Sequence, residues 1–434
     1  MTLNLIEGFE TTSKNCSRLN SVSMQGPARI IRSNRITDYK NLGSLFTWEA
    51  GRTYLIVDKV LFNEKVGAIL CYHNPPVHQI GTTGLEEFHK GLDAVCEKSN
   101  ELQFLLLYSA NAPVHSGGDL KETLNRLKAS LAKKSELEAA DASREEIDRL
   151  FIWGENRLQK GVLLYRKIRT AARRMRTVGV CGGGLRFGGS AEIPLMAEYL
   201  IGDSRSGMCF SEVLIGIIPG WGGVTRVLVK SGLTNAAFMA KTAKPVFADE
   251  LKAIGIYNSI VEISLDLPRI QESGNPASDK TAYLEVLEDH DDRTGAILLP
   301  AALELATCPV EEIPSVTGRE RHTLAEPGEL ALEVSRRVEP DHYAHLRGKP
   351  LRDVEDEIAR LGRPLAPQSI DAIDRLLGSY DPSSFEEERF IHEELWADAA
   401  LYRDPRFLEG LSAMLAQRVP DFRYPPASSK KKDT

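Results

Sequence analysis

One segment constrains this chain more than any other. Gly182-Gly183-Gly184-Leu185-Arg186-Phe187-Gly188-Gly189-Ser190-Ala191-Glu192 follows the apolar run Val178-Gly179-Val180-Cys181 and precedes a helix-favouring stretch. Glycines between a buried strand and a helix let the backbone come close to a partner and aim free N–H groups at it. The helix start adds partial positive charge, which suits an anionic oxygen. The spacing is not that of a dinucleotide-binding turn or of a phosphate-binding P-loop, because neither an acidic ribose partner nor a Gly-Lys-Ser/Thr follows. A tight turn that serves packing alone is the competing reading of this segment.

Two more glycine clusters lie on either side of it: His115-Ser116-Gly117-Gly118-Asp119-Leu120 and Ile218-Pro219-Gly220-Trp221-Gly222-Gly223. Each follows a strand-like run or a short loop, so all three can supply backbone donors to one pocket. Around them the pattern alternates. Tyr54–Val57, Val66–Leu70, Phe104–Tyr108, Val178–Cys181 and Tyr199–Ile201 read as strands, and 84–98 carries its apolar residues at helical spacing. Strands alternating with helices predict an α/β sheet with crossover connections.

Composition narrows the function classes. Of the 434 residues, 42% are hydrophobic and 26% charged, the mixture of a soluble globular enzyme. A net charge of −7 argues against nucleic acid as the principal partner. The six cysteines are scattered and form no C-x-x-C pair, so neither a zinc site nor a disulfide framework is expected. There is no membrane-length apolar run and no signal-like N-terminus, which makes the cytoplasm the expected compartment.

Taken together, the segments resemble the crotonase superfamily, the enoyl-CoA hydratase/isomerase family. Ser116-Gly117-Gly118-Asp119 is similar to its A-G-x-D loop, and Gly188-Gly189-Ser190-Ala191-Glu192 to its G-G-x-x-E helix start. Glu212-Val213-Leu214-Ile215-Gly216 followed by Pro219-Gly220-Trp221-Gly222-Gly223 resembles its P-E-x-x-x-G and P-G-x-G-G segments, with Ser211 standing where the family has proline. Downstream, Lys241 to Ile256 and Phe407 to Phe422 resemble its later helices. Glu212 follows twenty positions after Glu192, as in the hydratase branch.

The resemblance implies an α/β fold, a crotonase-like ββα spiral core with a helical C-terminal region, assembled as a homotrimer or homohexamer. It implies an acyl-CoA substrate and no separate cofactor or metal, because CoA itself supplies the activated carbonyl. It implies an oxyanion hole made by the N–H groups of Ser116 and Gly189, with Glu192 and Glu212 as the catalytic acid–base pair flanking the α and β carbons. It places His115, Gly117, Gly118, Asp119, Lys121, Arg186, Gly188, Gly220 and Trp221 against the substrate. Arg186 replaces a small or apolar residue of the family, and Trp221 fills its variable slot; both would reshape the acyl pocket, while the charged excursion after Lys121 and the long insert before Pro367 point to a cyclic or aromatic-derived acyl group.

The chain divides into an N-terminal extension (1–50), a core (51–262) carrying a charged helical insertion at about 121–160, an insertion of unassigned structure (263–365), a C-terminal helical region (366–425) and a tail (426–434). Isomerase, thioester or C–C bond hydrolase, and cofactor-independent oxygenase chemistry on the same scaffold are the alternatives. A non-catalytic protein binding RNA or a partner is a further alternative. Its support is the basic run Arg166, Lys167, Arg169, Arg173, Arg174 and Arg176, which reads equally as a solvated helix face.

Overall fold

The computed structural model describes residues 39–109, 111–268, 276–313 and 322–423. Three strands, β1 (Lys40–Ala50), β2 (Thr53–Phe62) and β3 (Lys65–His73), form an antiparallel meander. The two-residue turn between β2 and β3 is Asn63-Glu64, both at positive φ (46° and 62°), the left-handed geometry that matches strand twist in tight hairpins. Four parallel strands continue the sheet: β4 (Phe104–Ser109), β6 (Arg176–Cys181), β8 (Tyr199–Asp203) and β11 (Ser259–Val261). A smaller sheet has the order β10 (Val246–Phe247), β9 (Gly207–Cys209), β7 (Leu185–Phe187), β5 (Val114–His115).

The two sheets are wound together. Each of β4, β6 and β8 in the large sheet is followed by a short strand in the small one, respectively β5, β7 and β9, and then by a helical turn. These are the repeated ββα turns of a spiral. The first two end in α2 (Leu120–Ala139) and α5 (Gly189–Leu195); the third ends in the single turn Glu212–Leu214. Each glycine cluster of the sequence therefore lies where a small-sheet strand, or the loop after it, gives way to a helix.

Both faces of the large sheet are covered, which is why its strands read as continuous apolar runs rather than alternating ones. On one face Leu55, Val57, Leu70, Leu105 and Leu107 pack with residues of α1 (Thr82–Glu97) and α4 (Ile152–Ala172), reached through α2 and α3 (Arg144–Arg149). The opposite face, Ile56, Ile69, Leu106, Val178 and Val180, packs with Leu298, Leu299, Ala302 and Leu303 of α9 (Pro276–Thr307). A third cluster joins α6 (Gly223–Ser231), α7 (Leu233–Thr242) and α8 (Ala248–Ala253) to α10 (Pro327–Val338) and α12 (Pro367–Gly378). The chain continues with α13 (Glu387–Leu401) and α14 (Pro405–Leu415), after the short α11 (Glu355–Leu361).

Three segments differ from the sequence reading. Within the expected extension, residues 40–50 form the edge strand β1. Its exposed and half-exposed residues and two register shifts hide the strand pattern. The remainder of that extension to residue 38, and the tail from 426, lie outside the described residues. The charged insertion 121–160 is helical, and it also contributes to the core: α2 buries Thr123, Leu127 and Ser130, and α4 buries Gly154 and Leu158. The segment 263–365 supplies α9, the cover of one whole sheet face.

Candidate active site

The site forms where the first two spiral turns touch. Gly188 joins β7 to α5 at φ 50°, ψ −128°, a conformation that side chains avoid. Gly117 lies directly against it: a Cβ there would come within 2.7 Å of the Phe187 carbonyl oxygen and 2.9 Å of the Gly189 nitrogen. Gly189 is the first residue of α5, so its N–H has no partner inside the helix. Glu212 lies over the same turn, because a Cβ on Gly188 would lie 2.5 Å from its Oε1. Glu192 is one position beyond the first three of α5, and its Oε1 accepts from the Trp221 N–H at 2.8 Å and the Gly223 N–H at 3.0 Å.

Both carboxyl groups are withdrawn from water, Glu192 at 3% exposure and Glu212 at 9%. Burial pushes Glu192 up to about 7, against the two N–H groups that favour its ionised form. Burial raises Glu212 well above the ordinary carboxylate range, and the charge of Glu192 raises it further. Its Oε2 has no hydrogen-bond partner. Two carboxyls whose charges oppose one another titrate as a pair, so one proton is shared over the neutral range.

Two residues that the sequence reading missed hold this geometry from behind. Glu394 of α13 accepts from the Gly222 N–H (3.1 Å) and Val224 N–H (3.2 Å) on one oxygen. Its other oxygen accepts from the Thr225 N–H (2.8 Å) and hydroxyl (2.5 Å). Asp398, one turn on, accepts from the Ile218 N–H at 2.9 Å. The loop 218–225 thus spends its amides on carboxylates from two directions, with Glu192 on one side and α13 on the other. Burial and the Glu192 charge push Glu394 up to about 8, against the four donors that favour its ionised form. The one available signal was an acidic pair at i, i+4 among the apolar residues Phe390, Ile391, Leu395 and Ala399 of a single helix.

The other expected site residues divide. Gly188 and Gly189 meet Gly117 and Glu212 as described. Ser116 does not present a free N–H: it donates to the Val77 carbonyl at 2.7 Å, because the Val77–Ile80 segment runs alongside this loop. Asp119 caps α2, accepting from the Lys121 and Glu122 N–H groups, and Lys121 is exposed on the first turn. Gly118 lies under the Arg157 guanidinium of α4. Gly220 packs on Asp398, to whose Oδ2 a Cβ would come within 2.6 Å. The Trp221 ring fills the space between Gly161 of α4 and Gly189, where a Cβ would lie 2.6 Å from its Cζ3.

His115 is buried rather than solvated, and it pairs in register with Arg186 across β5 and β7. Both line a cavity between the sheets. Within the basic run Arg166 pairs with Glu388, Lys167 with Asp93 and Arg169 with Glu387, Arg174 bonds Ser99 and Arg176 the carbonyls of Leu305 and Cys308, while Arg173 is exposed. Among the described residues no group of three or more His, Cys, Asp or Glu is placed to hold a metal, and no helix is long and apolar enough to cross a membrane.

Residues 177–265 match the enoyl-CoA hydratase/isomerase family model, a stretch that runs from β6 through α5, Glu212 and the Gly220 loop to β11. The peroxisomal fatty acid beta-oxidation multifunctional protein MFP2 of Arabidopsis thaliana is 35% identical over 78 residues, 18% of this chain and 11% of that protein. The short-chain-enoyl-CoA hydratase of Clostridium acetobutylicum is 34% identical over 92 residues, 21% of this chain and 35% of the enzyme. The chain therefore spans only a minor part of the curated relatives it matches. Among solved structures, an enoyl-CoA hydratase from Rhodobacter sphaeroides 2.4.1 aligns over 80% of this chain and 86% of its own, with a TM-score of 0.47 and 16% identity. The matched segment coincides with the second and third ββα turns and carries both buried glutamates; over that stretch the chain matches the enoyl-CoA hydratase/isomerase family.

Proposed function

We propose that this chain adds water to, or removes it from, the α,β-double bond of an acyl-CoA thioester. The observation that carries this reading is the meeting of Glu192 and Glu212 at the Gly188–Gly189 turn, both buried and both raised. Hydration of an enoyl thioester places negative charge on the thioester oxygen, one proton on the α carbon and a hydroxyl on the β carbon. The Gly189 N–H, at the positive end of α5, is the donor available to that oxygen. Ser116 joins it as second donor when it exchanges the Val77 carbonyl for substrate. Of the two carboxyls, the ionised one takes a proton from water and the neutral one gives a proton to carbon. Which does which is a property of the coupled pair. Family members act on CoA thioesters without a further cofactor, and the same holds in this proposal.

Incubating the protein with linear, cyclic and aromatic enoyl-CoAs and weighing the products tests it. Gain of one water supports hydration. Free CoA would replace it with hydrolysis, gain of dioxygen with oxygenation, and an unchanged mass with a moved double bond indicates isomerisation. Against an RNA-binding reading of the basic run stand the ion pairs of Arg166, Lys167 and Arg169 with acidic side chains of the protein itself.

A further inference from the structure

Behind the site, between the two sheets, lies a cavity of about 30 Å³ lined by His78, His115, Arg186, Ser109, Ser190 and apolar side chains. His115 and Arg186 reach it together because they are register partners on adjacent parallel strands, and side chains at one register level point to one side.

The charges there do not balance. Arg186 is 2% exposed and always cationic. Its Nη1 donates to the Ser109 hydroxyl at 2.7 Å and its Nη2 to the Gly182 carbonyl at 3.2 Å. Its Nε has no partner, and no carboxylate pairs with it among the described residues. Asp203, the nearby acid, is committed to Arg205 at 2.7 Å and to the Gly183 N–H at 2.8 Å. Asp291 is bonded to Asn111 and Tyr108, and burial raises it to about 7. The histidines supply no counter-charge. His78 accepts from the Asn74 N–H at 2.9 Å through Nδ1, which leaves Nε2–H of the neutral ring as a donor. His115 lies 5.2 Å from it, fully buried, with its ring turned to the backbone carbonyls of Gly182 and Ala112. Burial drives both rings well below the ordinary histidine range, so both are neutral donors.

A buried cation without a partner costs several kcal/mol in general. Here the groups left without a partner can donate: Arg186 Nε–H and the His78 Nε2–H. We propose that this cavity is a binding site for a small monovalent inorganic anion of chloride size, which neutralises Arg186. An ordered water needs roughly 10–15 Å³, so the cavity has room for a monatomic ion. The site is separate from the proposed chemistry and stands whether or not the hydratase reading does.

Crystals of the full chain grown in bromide decide it. An anomalous peak in contact with Arg186 Nε and His78 Nε2 is expected. Bromide peaks on the surface alone, an adventitious ion only, would overturn the proposal, as would water alone in the cavity. In solution, Tm is expected to rise by a few degrees with chloride or bromide against gluconate at equal ionic strength, since gluconate exceeds the cavity. Arg186→Met is expected to lose that anion selectivity. A wild-type Tm indifferent to anion identity overturns the proposal without recourse to the variant.

Discussion

Glu192 illustrates how much one carboxyl depends on its surroundings. The ordinary value of a glutamate lies near 4.5, and burial lifts Glu192 to about 7. The folded state then binds a proton more tightly than the unfolded one. Its contribution to stability is unfavourable above the folded value and vanishes below the unfolded value, so stability falls as pH rises between them. Glu192→Gln carries no charge at any pH, while its amide oxygen can still accept from Trp221 and Gly223. Urea unfolding across that window is therefore expected to show a shallower fall for the variant than for the wild type. Some slope remains, because Asp291 and Glu394 are raised in the same direction. Under the proposed mechanism, Glu192→Gln and Glu212→Gln each lower kcat by about 10²–10⁴, with Tm retained. An active Glu212→Gln enzyme would remove Glu212 from the chemistry.

At the scale of elements, the controlling contact joins α13 to the loop 218–225. Glu394 offers two oxygens to four donors, and no amide side chain can do the same. In Glu394→Gln one oxygen becomes an NH₂ facing N–H groups, at a cost of about 1–3 kcal/mol. The loop then relaxes away from Glu192, so kcat is expected to fall while KM changes little. Steady-state kinetics together with Tm would check this; an unchanged kcat would mean that α13 merely packs.

This contact also marks where reading the sequence stopped. The glycine turns, Glu192 and Glu212 are legible because their neighbours in the chain set their geometry. Glu394 contacts Gly222 across 172 positions, and nothing near either residue announces the pairing. The bond from the Ser116 N–H to the Val77 carbonyl is hidden for a related reason: its partner lies on another strand's loop. That His115 and Arg186 are buried as register partners likewise shows only in the pairing of β5 with β7.

At the scale of the whole molecule, the large sheet is sealed by different parts of the chain. The strands β2, β3, β4, β6 and β8 were legible as apolar runs; their second cover, α9, was not, because its hydrophobic residues are interleaved with Glu, Asp and Arg. Leu303 of α9 is fully buried against the face remote from the glutamates. Leu303→Ala is expected to cost about 2–5 kcal/mol in urea unfolding while leaving turnover per folded molecule near wild type. A loss of turnover in step with stability would show that the two faces of the sheet are not independent.

The hold of α13 on the Gly220 loop has a consequence for how the molecule comes into being. A ribosome has delivered every glycine and both acidic groups of the proposed chemistry long before it reaches Glu394. Until that helix emerges and docks, four of the loop's six bonded amides lack their carboxylates. A product cut short before α13 would carry the glycine motifs and both glutamates without the side chains that hold the loop between them.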